Sequence, residues 1–157
     1  MADKIKRKYE TLRKKHKQYK LPEFEELDSE FEISRIEHEG FLLREIRKKI
    51  SEKIGDIAGM LERMLQPEAN LADLYESRVF GENEKKRMFE LYKRLMAAER
   101  QAAELSILND KQLDVNFIKS FLMEWKKLKP ELANYIRALK EAWEKETEEG
   151  ETAGYMG

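Results

Sequence analysis

The sequence predicts an all-α protein: an antiparallel bundle of four or five helices, with one short acidic helix and a basic N-terminal helix. Apolar residues recur at spacings of three and four through long stretches, the mark of amphipathic helices. Glu, Lys, Leu and Ala, strong helix formers, dominate a composition that is 40% charged, against the ~25% of an average domain. No segment alternates with the period of a strand, and no repeat recurs at a fixed spacing. A chain of 157 residues makes about one domain, which can bury roughly two thirds of its unfolded surface. The expected domain covers residues 1–147, and residues 148–157, which lack periodicity, read as a disordered tail.

The first element is a basic helix over residues 1–20. Ile5, Tyr9, Leu12, His16 and Tyr19 form one narrow apolar stripe, and the rest is largely Lys and Arg. Pro22 disfavours helical geometry at Leu21 and can open a short acidic helix through Phe24 and Leu27. Ser29 with Glu32 and Ser34 with Glu37 both have capping-box spacing, and Ser34 is the expected start of the long second helix, which stops before Pro67. Its apolar seam contains Leu43, Ile46, Ile50, Ile54, Ile57 and Leu61, with Phe41 at its start. Gly55 and Gly59, four apart, predict a close crossing of another helix, since glycine in a helix costs ~1 kcal/mol relative to Ala.

Asn70 caps a short turn of helix with Leu71, Leu74 and Tyr75. Gly81 breaks the chain, and a third long helix starts at Glu82 or Asn83, passing Met88, Phe89, Tyr92, Leu95 and Met96 to about Leu108. Asn109 and Asp110 make a turn with its own cap. A further helix carries Val115, Ile118, Phe121, Leu122, Trp125 and Leu128, with Phe117 off its main stripe and open to exposure. Pro130 then begins the last helix, with Leu132, Tyr135, Ile136, Leu139 and Trp143.

The sharpest functional signal is a charge reversal. Residues 1–20 hold nine Lys or Arg against two acids, a net +7; residues 21–39 hold eight acids against Arg35, a net −7. The whole chain carries only −1. A basic helix can meet a polyanion or fold back on its acidic neighbour. The candidate binding residues are Lys6, Lys8, Arg13, Lys14, Lys15, Lys17 and Lys20. Either this helix packs on the bundle, or it is a mobile arm that orders on binding. Two further basic clusters, Arg44, Arg47, Lys48, Lys49 and Lys53, then Lys126, Lys127 and Lys129, read as solvated, salt-bridged faces.

Catalytic chemistry finds little purchase. The absence of Cys removes disulfides, thiolate metal sites and thiol nucleophiles. His16 reads as a packing residue, and His38 sits in neither HExxH nor Glu-x-x-His spacing. There is no phosphate loop and no G-x-S-x-G. Glu23 with Glu26, Glu25 with Asp28, and Asp110 with Asp114 are paired carboxylates of a kind that can hold Mg²⁺, so a magnesium-dependent hydrolase stands as the third reading. No catalytic residue, cofactor or metal ligand is assigned.

The runs LPEFEELDSEFEISRIE (21–37), FLLREIRKKI (41–50) and LADLYESRVF (71–80) are together similar to small all-helical archaeal proteins of unknown function. That resemblance implies an archaeal, cytoplasmic protein and no mechanism. The Lys- and Glu-rich, Cys-free composition also resembles that of thermophile proteins. The charged N-terminus has no secretory-signal pattern, and no apolar run is long enough to span a membrane. The expectation is therefore a cytoplasmic, non-enzymatic interaction module with a protein partner and no membrane role. Nucleic-acid or ribonucleoprotein binding through the basic helix is the alternative, and a homodimer sharing the long-helix seam is a further expectation.

Overall fold

The basic helix expected over residues 1–20 stops at Lys15, and the chain goes on through a 3₁₀ turn at Lys17–Tyr19 to a left-handed Lys20. The computed structural model describes residues 2–145, and the tail read over residues 148–157 lies outside them. Six α-helices are described: α1 (Ala2–Lys15), α2 (Phe24–Phe31), α3 (Leu42–Leu65), α4 (Leu71–Ser77), α5 (Glu82–Leu108) and α6 (Lys111–Glu144). Two 3₁₀ turns, Lys17–Tyr19 and Ile33–Arg35, follow α1 and α2. The all-helical expectation holds among the described residues.

Three long helices make the frame. Asn109 and Asp110 turn the chain between α5 and α6: Asn109 takes the left-handed conformation that ends α5, and the Asp110 carboxylate accepts the Leu113 N–H at 3.1 Å. Arg44 at the start of α3 donates to Asn109 at 3.1 Å, and Tyr92 of α5 donates to Glu62 near the end of α3 at 3.4 Å. Thus α3 runs antiparallel to α5. Arg47 meets Asp114 and Lys53 stands over the Trp125 ring, so α3 runs parallel to α6. Ile46, Ile50, Ile54 and Leu61 lie in the centre of this frame, essentially without solvent contact. The seam is buried inside one chain.

Several expectations need correction. Helix α3 begins at Leu42, not Ser34. Glu32 ends α2 in a left-handed conformation, the Asp28 carboxylate accepts the Ser34 N–H at 2.8 Å, and Ile33 and Ile36 are buried. Those anchors hold residues 32–36 as a connector. Ser29 lies inside α2, its hydroxyl donating to the Glu26 carbonyl, so neither capping box forms. The two helices expected on either side of Pro130 are one helix, α6. Proline removes one helical hydrogen bond, but Trp125, Leu128, Leu132 and Leu139 continue a single buried stripe across it, and Pro130 itself is exposed. Phe117, expected off the stripe, is buried, and Phe41, placed on the seam, is 64% exposed. On α5 the buried stripe runs through Leu91, while Phe89 faces outward with Lys93 near its ring.

Gly55 and Gly59 are not a helix crossing. A Cβ at Gly55 would meet nothing within 4 Å, and at Gly59 it would meet only the Arg63 guanidinium at 3.6 Å. The basic helix packs on the bundle. Ile5 and Tyr9 are buried, the Tyr9 hydroxyl donates to the Pro22 carbonyl at 2.5 Å, and its ring packs against Phe24. Burial pushes the Tyr9 phenol far above its ordinary pKa. The chain after α1 is tied down as well, since the Lys119 ammonium donates to the Tyr19 carbonyl at 2.9 Å.

Elsewhere sequence and structure agree. Asn70 accepts the Asp73 N–H at 2.9 Å to cap α4, and Gly81 precedes α5 with its N–H held by the Glu84 carboxylate. The Tyr75 hydroxyl donates to the Ala142 carbonyl and its ring packs on Trp143, tying α4 to the end of α6. No helix among the described residues is long and apolar enough to cross a membrane.

Candidate functional site

The acidic segment shares its charge between two neighbours. Glu39 pairs with Lys4 at 3.6 Å and Glu25 with Lys6 at 2.6 Å, which joins it to α1. Glu26 pairs with Lys126, and Glu30 with Lys129 at 2.6 Å, which joins it to α6. Glu30 also accepts from the Trp125 indole at 2.5 Å. Burial pushes the Glu30 carboxyl upward, and the Lys129 and Trp125 hydrogen bonds outweigh that, so it is held below the usual carboxylate range. The hydrogen bond with Glu25 raises the Lys6 ammonium and lowers the Glu25 carboxyl.

The seven candidate cations of the basic helix are therefore not one surface. Lys6 is committed to Glu25, and Arg13 pairs with Glu10 on its own helix at 3.3 Å. Lys8, Lys14, Lys15, Lys17 and Lys20 form no ion pair among the described residues, and they divide into two groups. Lys14, Lys17 and Lys20 border a shallow depression of about 300 Å³ beside Arg13 and Leu21. Lys8 and Lys15 line a separate cavity of about 520 Å³ where α1 faces the start of α3 and the turn between α5 and α6. Arg44 and Lys111 join them there, though they are distant in sequence from the basic helix.

A second concavity opens on the far part of the bundle, between α3 and the half of α6 beyond Trp125. It encloses about 410 Å³ over a floor that includes Ile57, Leu61, Met64, Leu132 and Ile136. Lys53, Lys129, Arg137 and Lys140 stand in its lining, and among the described residues no carboxylate does. Lys129 and Lys140 reach Glu30 and Glu144, whereas Lys53 and Arg137 meet no carboxylate within ion-pair distance among the described residues. Lys53 stands 5.6 Å from the centre of the Trp125 ring, a cation–π contact that fixes its charge at the groove edge. This groove exists because α6 passes through Pro130 as one helix. A reading that breaks the chain there cannot see it.

Apart from Glu23, the carboxylates singled out as metal-holding pairs are employed elsewhere. Glu25 and Glu26 carry the ion pairs already described, Asp28 holds the Ser34 N–H, and Asp110 caps α6. Asp114 is buried against the equally buried Arg47 at 2.6 Å. Among the described residues no group of three or more His, Asp or Glu side chains is placed to hold a metal ion. Arg47 looked like one charge in a solvated cluster, and only its spacing of four from Leu43 and three from Ile50 hinted that it faced inward.

Compared with protein-family profiles, with curated proteins and with solved structures, the chain matches none.

Proposed function

We propose that this protein is a non-enzymatic interaction module that receives an acidic amphipathic helix of a protein partner in the groove between α3 and α6. The carrying observation is the pairing of an apolar floor with four lining cations and, among the described residues, no lining carboxylate. A helix that lays an apolar stripe into a groove uses anchors at i, i+3 or i+4, and i+7. Acidic residues flanking that stripe would meet Lys53 and Arg137, which among the described residues have no carboxylate within ion-pair distance, and like-charged helices would be rejected. Met60 and Met64 in the lining add side chains that adapt to differing anchors.

The test uses Trp143→Phe, which leaves Trp125 at the groove as the sole indole of the chain. A designed amphipathic peptide with Leu anchors and Glu flanks should change Trp125 emission saturably, and the same anchors with Lys flanks should not. Ile136→Glu, at a position 39% exposed, should abolish the response without unfolding the bundle. Equal binding of both peptides, or of neither, would refute the reading. A second copy of the chain occupying the groove would appear as concentration-dependent dimerisation lost in Ile136→Glu.

Lys14, Lys17 and Lys20, which form no ion pair among the described residues, support a second reading, weak nucleic-acid association through the basic helix. Retention of RNA or DNA should then fall steeply with salt and vanish when these lysines are reversed in charge.

A further inference from the structure

We propose that the cavity between α1, the start of α3 and the α5–α6 turn binds a compact anion bearing two or more phosphate groups. Four cationic side chains, Lys8, Lys15, Arg44 and Lys111, line one space of about 520 Å³, within the ~300–1,000 Å³ range of small-molecule sites. Two carboxylates also line it, and both are neutralised by cations outside the lining: Glu39 by Lys4 and Asp114 by Arg47. Among the described residues none of the four lining cations forms an ion pair of its own. Such an arrangement repels itself when empty and gains when an anion enters.

Three elements far apart in sequence bring these charges together, which a solvated helix face does not require. Arg44 is held by two contacts, its hydrogen bond to Asn109 at 3.1 Å and its packing 4.6 Å from the centre of the Phe41 ring. Its planar fork suits bidentate contact with a phosphate, and Lys8, Lys15 and Lys111 supply point charges. Leu42 and Leu43 in the first turn of α3 form part of the wall, and Phe41 provides no side-chain cap for that turn. A compact anion fits better than a nucleic-acid backbone, because Lys14, Lys17 and Lys20 border a different depression and the cations make no continuous track.

The experiment titrates the full chain with inorganic tripolyphosphate, with ATP and with a single-stranded RNA lacking terminal phosphates, by calorimetry. Tripolyphosphate should bind at one site per chain. Lys15→Gln and Lys111→Gln, both at exposed positions, should each weaken it about tenfold, the scale of losing one charge-assisted contact. Lys14→Gln with Lys17→Gln should leave it unchanged, and circular dichroism should show every variant folded. Equal affinity for ATP and tripolyphosphate assigns the site to phosphates alone, and tighter ATP binding assigns it to a nucleotide; both support the proposal. No binding of either phosphate compound, or equal weakening by the Lys14 and Lys17 changes, overturns it. Displacement of tripolyphosphate by the unphosphorylated RNA overturns it in favour of nucleic-acid binding.

Discussion

Breaking the buried pair between Arg47 and Asp114 should be among the most destabilising changes in the protein, and replacing both partners should not be. The side chains are 3% and 6% exposed and meet at 2.6 Å, joining α3 to the first turn of α6. With an effective dielectric constant of ~20, two unit charges at that separation attract by about 6 kcal/mol before desolvation. Removing both ions from water costs several kcal/mol each, so the intact pair contributes little net stability. Removing one partner leaves the other charge buried without compensation. Arg47→Met and Asp114→Leu should therefore each cost ~3–5 kcal/mol, and the double variant should lie within ~1 kcal/mol of the parent. Urea denaturation followed by far-ultraviolet circular dichroism, extrapolated linearly to water, measures all four corners of this cycle. A single variant losing less than ~1 kcal/mol, or a double variant losing the sum of the singles, would show that the two charges are solvated and uncoupled.

Three further outcomes follow from the geometry. Gly55→Ala and Gly59→Ala should each stabilise by up to ~1 kcal/mol, because helical glycine is costly and both positions have room for a methyl group; destabilisation on thermal melting would restore a close crossing at that face. Ile54→Ala should cost ~2–5 kcal/mol by chemical denaturation, since Ile54 is 1% exposed, and a loss near zero would mean that the seam is not a packed core. The Arg87 guanidinium grips Glu131 through two contacts of 2.7 Å, and this hydrogen bonding holds the Glu131 carboxyl below its ordinary range. A lowered carboxyl stabilises the fold above the ordinary glutamate pKa of ~4.3, and that contribution is lost as pH falls through and below it. The melting temperature of the parent should thus exceed that of Glu131→Gln near neutral pH and converge on it in acid; a constant difference would refute the assignment.

Much of what local spacing governs was legible in the chain. The all-helical class, the seam from Leu43 to Leu61, the caps at Asn70 and Asp110 and the break at Gly81 all depend on residues within one or two turns, where side-chain phase and nearby hydrogen bonds decide. Pro130 shows where that reasoning stops. Its local penalty is one lost hydrogen bond and one steric clash, whereas Leu128, Leu132 and Leu139 all remain buried only if the helix continues. Ser34 failed for a related reason: its capping box was outweighed by burial of Ile33 and Ile36 and by the carboxylate of Asp28. The charge reversal was visible as composition, but which lysines remain unpaired was not, because Glu26 and Glu30 chose Lys126 and Lys129, about a hundred residues away. Both concavities arise from such distant meetings. The seven candidate cations of the N-terminal helix held two of the four that line the larger cavity, and Arg44 and Lys111 joined them only when α3 and α6 were laid side by side. Helix phase is set by the chain's own neighbours, but a site is set by which phases face each other, and that is a property of packing alone.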